Sequence, residues 1–174
     1  MQTFQQLFLQ LLKDVKVELD DEFDRNFERK AFFTTAWKPA KHNTIGSLLM
    51  RTGALRKSLQ SDIIGNNAIK WESNVPYANI HNSGGTITVT PKMKGFFWYR
   101  YRMATGGNNK NVNPEALFWK AMALKRVGSQ IHIPQRQFIG EHPVVHRCVR
   151  EVADEWFNND VRNFMNNKLN NMVK

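Results

Sequence analysis

The sequence predicts an α+β fold: a small, mostly antiparallel sheet packed by long N- and C-terminal helices, with an inserted hairpin-and-helix region. Three observations lead there. Apolar residues return at helical spacing from Phe4 to Phe27 and again from Val145 to Met172. Between them, short alternating runs at Leu59–Ile63, Ile69–Trp71, Ile87–Val89 and Ile131–Ile133 read as half-buried strands. A length of 174 residues with 41% hydrophobic content suits one domain with one core.

Taken in order, residues 1–33 form the N-terminal helix. Phe4, Leu7, Phe8, Leu11, Leu12, Val15, Leu19, Phe23 and Phe27 make one apolar stripe, longer than a small core needs. The stripe is expected to cover the sheet, to meet a neighbouring subunit, or both. Residues 34–47 lack periodicity, and Pro39 pushes Lys38 toward an extended conformation, so this segment reads as a loop or arm. Residues 48–140 form the α+β core. Gly53 either splits a short helix or marks the turn into the first strand, and Gly65-Asn66-Asn67 supplies a tight hairpin. Pro76 and the pair Gly84-Gly85 bracket a short helical corner over Tyr77 to Ser83.

The strand Thr86–Thr90 stops at Pro91, and an insertion at 92–127 follows. Its first part, Phe96-Phe97-Trp98-Tyr99-Arg100-Tyr101-Arg102, interleaves rings with guanidinium groups. It reads either as a strand with its arginines outward or as a base-stacking, phosphate-pairing surface. The second part starts a helix with Asn113 as cap, Pro114 at its first position and Glu115 in its first turn; Gly128 stops it. After the strand Gln130–Pro134, Pro143 opens the C-terminal helix of residues 141–174, whose Asn-rich end is expected to fray.

Charge is unevenly spread. The net charge is +10, yet residues 1–28 carry seven acids against Lys13, Lys16 and Arg25. Residues 92–136 hold nine basic residues and Glu115 alone as an acid. Such asymmetry suits nucleic-acid contact, or docking of one subunit's acidic helix on the basic face of the next. No apolar run approaches the ~20 residues of a membrane-spanning helix. The first residues lack the basic start of a signal peptide. One cysteine, Cys148, excludes an internal disulfide.

Four segments carry a family resemblance. They are Trp37-Lys38-Pro39; Leu49 to Leu59, with Arg51, Thr52, Gly53, Leu55 and Arg56; Val75 to Gly85, with Tyr77, Ala78, His81, Gly84 and Gly85; and Ile133 to Gly140, with Pro134, Arg136 and Phe138. In this order, over roughly residues 37–140, the chain resembles the phage virion morphogenesis family of tail completion and head–tail joining proteins. The resemblance implies a structural role in the neck or tail of a phage or prophage virion. It also implies assembly in the host cytoplasm, other neck and tail proteins as partners, and no cofactor. From exposed apolar and unstructured segments, Phe4, Phe8, Leu11, Trp37, Pro39, Arg136 and Phe138 are the expected subunit contacts, with a ring as one arrangement. Lys92, Lys94, Arg100 and Arg102 are the expected contacts if the partner is nucleic acid.

No catalytic constellation stands out. His142 and His146 share a helical i, i+4 spacing beside Glu141, but the intervening Glu of a metalloprotease motif and a third ligand are missing. Cys148 falls on an apolar helix face, where a thiol is inert. Arg51, Arg56 and Lys57 sit beside a turn and read as solvated. His81, in a polar turn, is expected to satisfy backbone groups with its ring.

Overall fold

A computed structural model describes residues 3–40, 47–107 and 113–172. Its spine is helix α1 (Phe4–Arg29). Thr3 and Gln6 form a reciprocal capping box that satisfies two otherwise orphaned N–H groups: Thr3 Oγ1 accepts from Gln6 N and Gln6 Oε1 from Thr3 N. Lys30, in the left-handed region at φ 54°, ends the helix. The chain then turns back through the ribbon β1 (Ala31–Phe32) and β2 (Thr35–Ala36). This ribbon lies where the sequence reads as the end of one helix and the start of an arm. Two residues per strand are too few to leave a periodic signal.

Both hydrophobic clusters are built on α1. In the first, Val15, Leu19 and Phe23 meet Phe32, Phe33 and Cys148, with Ile69, Trp71 and Val145 packed around them. The apolar stripe is thereby largely consumed inside the chain. In the second, Phe27 at the end of the helix meets Trp37, Leu55, Ala78 and Phe138. Polar ties fix the same helix to its neighbours. Asp20 accepts from Ser61 Oγ and Trp71 Nε1, each at 2.7 Å, and Trp156 Nε1 donates to the Leu7 carbonyl at 3.1 Å.

The helix α2 (Ala54–Lys57) leads into β3 (Leu59–Ile64), which pairs with β4 (Ala68–Ser73) across the anticipated tight turn, with Ile63 opposite Ile69 and Ser61 opposite Trp71. Helix α3 (Ala78–Ser83) is the helical corner, and β5 (Gly85–Thr88) pairs with β6 (Gln130–Ile133). The α+β class and the terminal helices are as the sequence predicts. The strands, however, form three separate antiparallel ribbons rather than one sheet of about four.

The insertion differs from its strand reading. Phe96–Arg102 is the middle of α4 (Pro91–Ala104), capped by Thr90 Oγ1, which accepts from Met93 N, with Pro91 at the first position. Helix α5 (Pro114–Ala123) follows, capped by Asn113 as predicted. Asn113 also donates from Nδ2 to the Ala104 carbonyl, which ties the two helices into one antiparallel pair. At its base, just beyond the β5–β6 ribbon, Val89 N donates to the Ser129 carbonyl and the Val89 carbonyl accepts from Gly128 N. Helix α6 (Pro143–Trp156) packs on α1 and passes through a wide π turn at Phe157–Val161 into α7 (Arg162–Met172). The Asn-rich segment expected to fray is helical through Met172.

Candidate functional site

The segments that carry the family resemblance meet at one place, the loop from Pro134 to Gly140. Its polar backbone is satisfied from four directions. Trp37 Nε1 donates to the Gln137 carbonyl at 2.6 Å, and Asn26 Nδ2 to the Phe138 carbonyl at 3.2 Å. Asn82 Oδ1 accepts from both Phe138 N and Ile139 N, and the His81 carbonyl accepts from Arg136 N. The Phe138 ring, 1% exposed, lies 5.2 Å from that of Phe27. Where such a loop is buried, as at Arg136 and Phe138, its N–H and C=O groups need partners, and these residues provide them. Gly84 passes so close that a Cβ there would stand 2.8 Å from Gln135 N, and its φ of 72° disfavours any side chain.

Arg56 reaches across from α2 to Asp24 and Glu28 on α1, and those carboxylates raise its pKa above the ordinary value. Gly53, at φ 72°, starts α2. Arg136 is buried, donates from Nε to the Lys38 carbonyl at 3.0 Å, and has no carboxylate partner among the described residues. Burial lowers its pKa. Burial, and next to it the Arg136 charge, also push the His81 imidazole below its ordinary value. Contrary to expectation, the backbone carbonyl of His81 is what pairs with a neighbour. Its ring Nδ1 is buried without a hydrogen-bond partner among the described residues.

Of the seven residues anticipated as subunit contacts, Trp37, Arg136 and Phe138 are buried in the chain's own interior, where they hold the Pro134–Gly140 loop. Leu11 packs against the first cluster and Phe8 is half-buried. Phe4 and Pro39 are exposed, Phe4 with its ring edge on Trp156. Residues 41–46 of the anticipated arm lie outside the described residues.

The exposed surface richest in rings and cations is the α4–α5 pair. Along α4, Lys92, Phe96, Tyr99 and Met103 recur at spacings of four, three and four, which places them on one face. Phe96, Tyr99 and Met103 are each more than half exposed, as are Leu117 on α5 and Leu124 just past its end. The face turned inward holds Phe97 stacked on Trp119, with Arg100 5.0 Å above the Trp119 ring and bonded to Glu115. Arg100 is therefore engaged within the pair, while Lys92 and Arg102 are exposed and Lys94 half-buried. The helical recurrence of Phe96, Tyr99 and Met103 was present in the sequence but masked by a composition that also suits a strand.

The histidines and the cysteine singled out in the sequence each have a local setting. His142 is the cap of α6, its Nδ1 accepting from Val144 N and its ring stacked on Phe33, while His146 turns outward to Glu141. No group of three His, Cys, Asp or Glu that could hold a metal stands among the described residues. Burial raises the Cys148 thiol above its ordinary value. One surface cleft of about 400 Å³, lined by Asn74, Asn79, Asn82 and Phe138, has no ionisable side chain in its wall. Another, of about 350 Å³ beside Trp37, brings together Lys38, Glu141 and His142. No described helix is long and apolar enough to cross a membrane.

No curated protein and no solved structure matches the chain at a significant level. The family model for the phage virion morphogenesis family matches residues 9–158, most of the chain.

Proposed function

We propose, since the chain belongs to the phage virion morphogenesis family, that it completes the phage tail or joins tail to head in the neck of the virion. It acts by assembly and not by catalysis. The observation that carries this reading is the division of the chain. The residues of the shared motifs are spent on holding the Pro134–Gly140 loop, while the exposed rings and cations of the α4–α5 pair are left for a partner.

Partners are then other neck and tail proteins and further copies of the chain, arranged as a ring if a head-to-tail contact closes. The protein would be assembled in the host cytoplasm and carried in the particle. Deleting its gene from an inducible phage tests the reading by electron microscopy of the lysate. Unjoined heads and tails, or tails with an unfinished end, are expected, and which of the two accumulates separates joining from completion. Normal infectious particles in normal yield would refute it.

A second reading, a nucleic-acid-binding module, draws on the exposed Lys92 and Arg102 beside the α4 rings. A binder of that kind loses duplex or single-strand affinity steeply as salt rises. A gel shift across a salt series measures this directly.

A further inference from the structure

We propose that the α4–α5 pair of one copy docks through its Phe96–Tyr99–Met103 face onto the exposed acidic face of α1 in a second copy, Asp14, Val17, Glu18 and Asp21. The inference rests on the assembly reading and names its contact surfaces. Two faces of opposite character are left open on the same molecule. On α4, three exposed apolar side chains lie in a line with Lys92 at one end and Arg102 beside the other, and neither cation is ion-paired among the described residues. On α1, Asp14, Val17, Glu18 and Asp21 fall at i, i+3, i+4 and i+7, so they share a face. Val17 is 61% exposed within it, and none of the three acids is ion-paired among the described residues.

The other acids of α1 are already occupied. Asp20 holds Lys16 and Trp71, Glu22 holds Arg25 and Arg29, and Asp24 and Glu28 hold Arg56. The carboxylates with no ion pair among the described residues, Glu18, Asp21 and Asp14 (which accepts from Gln10 Nε2), are thus confined to the one face that also offers an apolar spot. An apolar centre with a charged rim is the composition of a protein interface. Complementary sign across the rim sets register and rejects wrong pairings. Nucleic acid would match the cations of α4 and could stack a base on Phe96, but it would leave Met103 without an apolar counterpart.

The helices of the pair pack chiefly on each other, so the α4 face is free of the chain's own body. Because the two surfaces are different, each copy keeps one of each after docking. The contact is therefore head-to-tail and propagates until it closes.

The test uses the full chain as two single variants, Val17→Cys and Tyr99→Cys, with the buried Cys148 left in place. Mixed and mildly oxidised, they are expected to give a disulfide-linked dimer that neither variant gives alone. In parallel, light scattering over a concentration series follows wild type and the double reversal Lys92→Glu/Arg102→Glu. Self-association is expected to weaken at least ~10-fold on reversal and to return when Asp14→Lys/Asp21→Lys is added to the same chain.

No cross-link in the mixture, or an equal one in either variant alone, overturns the pairing. Wild-type mass then shows what falls with it. If mass still rises with concentration, only these surfaces are wrong. If wild type stays monomeric and shifts DNA in a salt-dependent way, assembly of copies falls too.

Discussion

The Pro134–Gly140 loop and the α4–α5 pair are both short excursions from the β5–β6 ribbon, yet they spend their side chains in opposite ways. The loop is irregular in backbone, with most of the backbone groups from Arg136 to Ile139 paired and Phe138 sealed against Phe27. The helical pair is regular, satisfies its own backbone, and leaves large rings in water. The difference separates two jobs that a motif comparison merges. Residues that mark the family here keep the fold in one piece. On the reading proposed above, the residues offered to a partner lie in the part of the chain that the motifs bypass.

The comparison is broken most directly by truncating the loop's anchor. Phe138→Ala is expected to cost about 3–5 kcal/mol, the range for a fully buried aromatic ring, read from urea unfolding. A cost under about 1 kcal/mol would mean the loop is not held through that ring. Gly84→Ala comes next, at about 2–4 kcal/mol, because it adds strain at positive φ to a contact with the Gln135 backbone.

The loop also carries a pH signature. His81 has its folded pKa lowered, so the unfolded chain takes up a proton that the folded chain resists. This contribution is fully present above the ordinary imidazole value of 6.5 and is lost as pH falls below it. A His81→Gln variant should show a flatter thermal midpoint over that window than wild type.

On the other side of the comparison, Gly95 sits within α4 with nothing near its missing Cβ. Gly95→Ala should therefore stabilise the α4–α5 pair by about 0.5–1 kcal/mol, visible as higher helicity on heating. Smallest of all, Tyr99→Ser should leave stability within about 0.5 kcal/mol. A larger loss would show that the exposed face is part of the chain's own packing.

The legible parts of the sequence were those whose signal is local. The α1 stripe, the Gly65–Asn67 turn, the Asn113-Pro114 start and the Pro143 opening each state themselves within a few residues. Trp37 was not legible, because its place is fixed by a carbonyl 100 residues away. Nothing near Trp37 in the chain distinguishes a buried ring from an exposed anchor. The strand reading of Phe96–Arg102 failed for another reason. Aromatic content favours strands, but Thr90-Pro91 supplies a helix start and the exposed rings keep helical time. The acidic N-terminal helix and basic insertion were visible as composition. Only the fold shows which acids are already occupied.

The wide turn at Phe157–Val161 gives the C-terminal rod a phase it would otherwise lack. The inward positions of α6, Val145, Cys148, Val152 and Trp156, extended at 3.6 residues per turn, would next reach Asn159 and Asn163. One additional residue in the coil delays the count by about 100°, and Val161 and Phe164 come round half-buried instead. Shortening that coil by a single asparagine would keep every hydrophobic residue and aim the wrong ones inward.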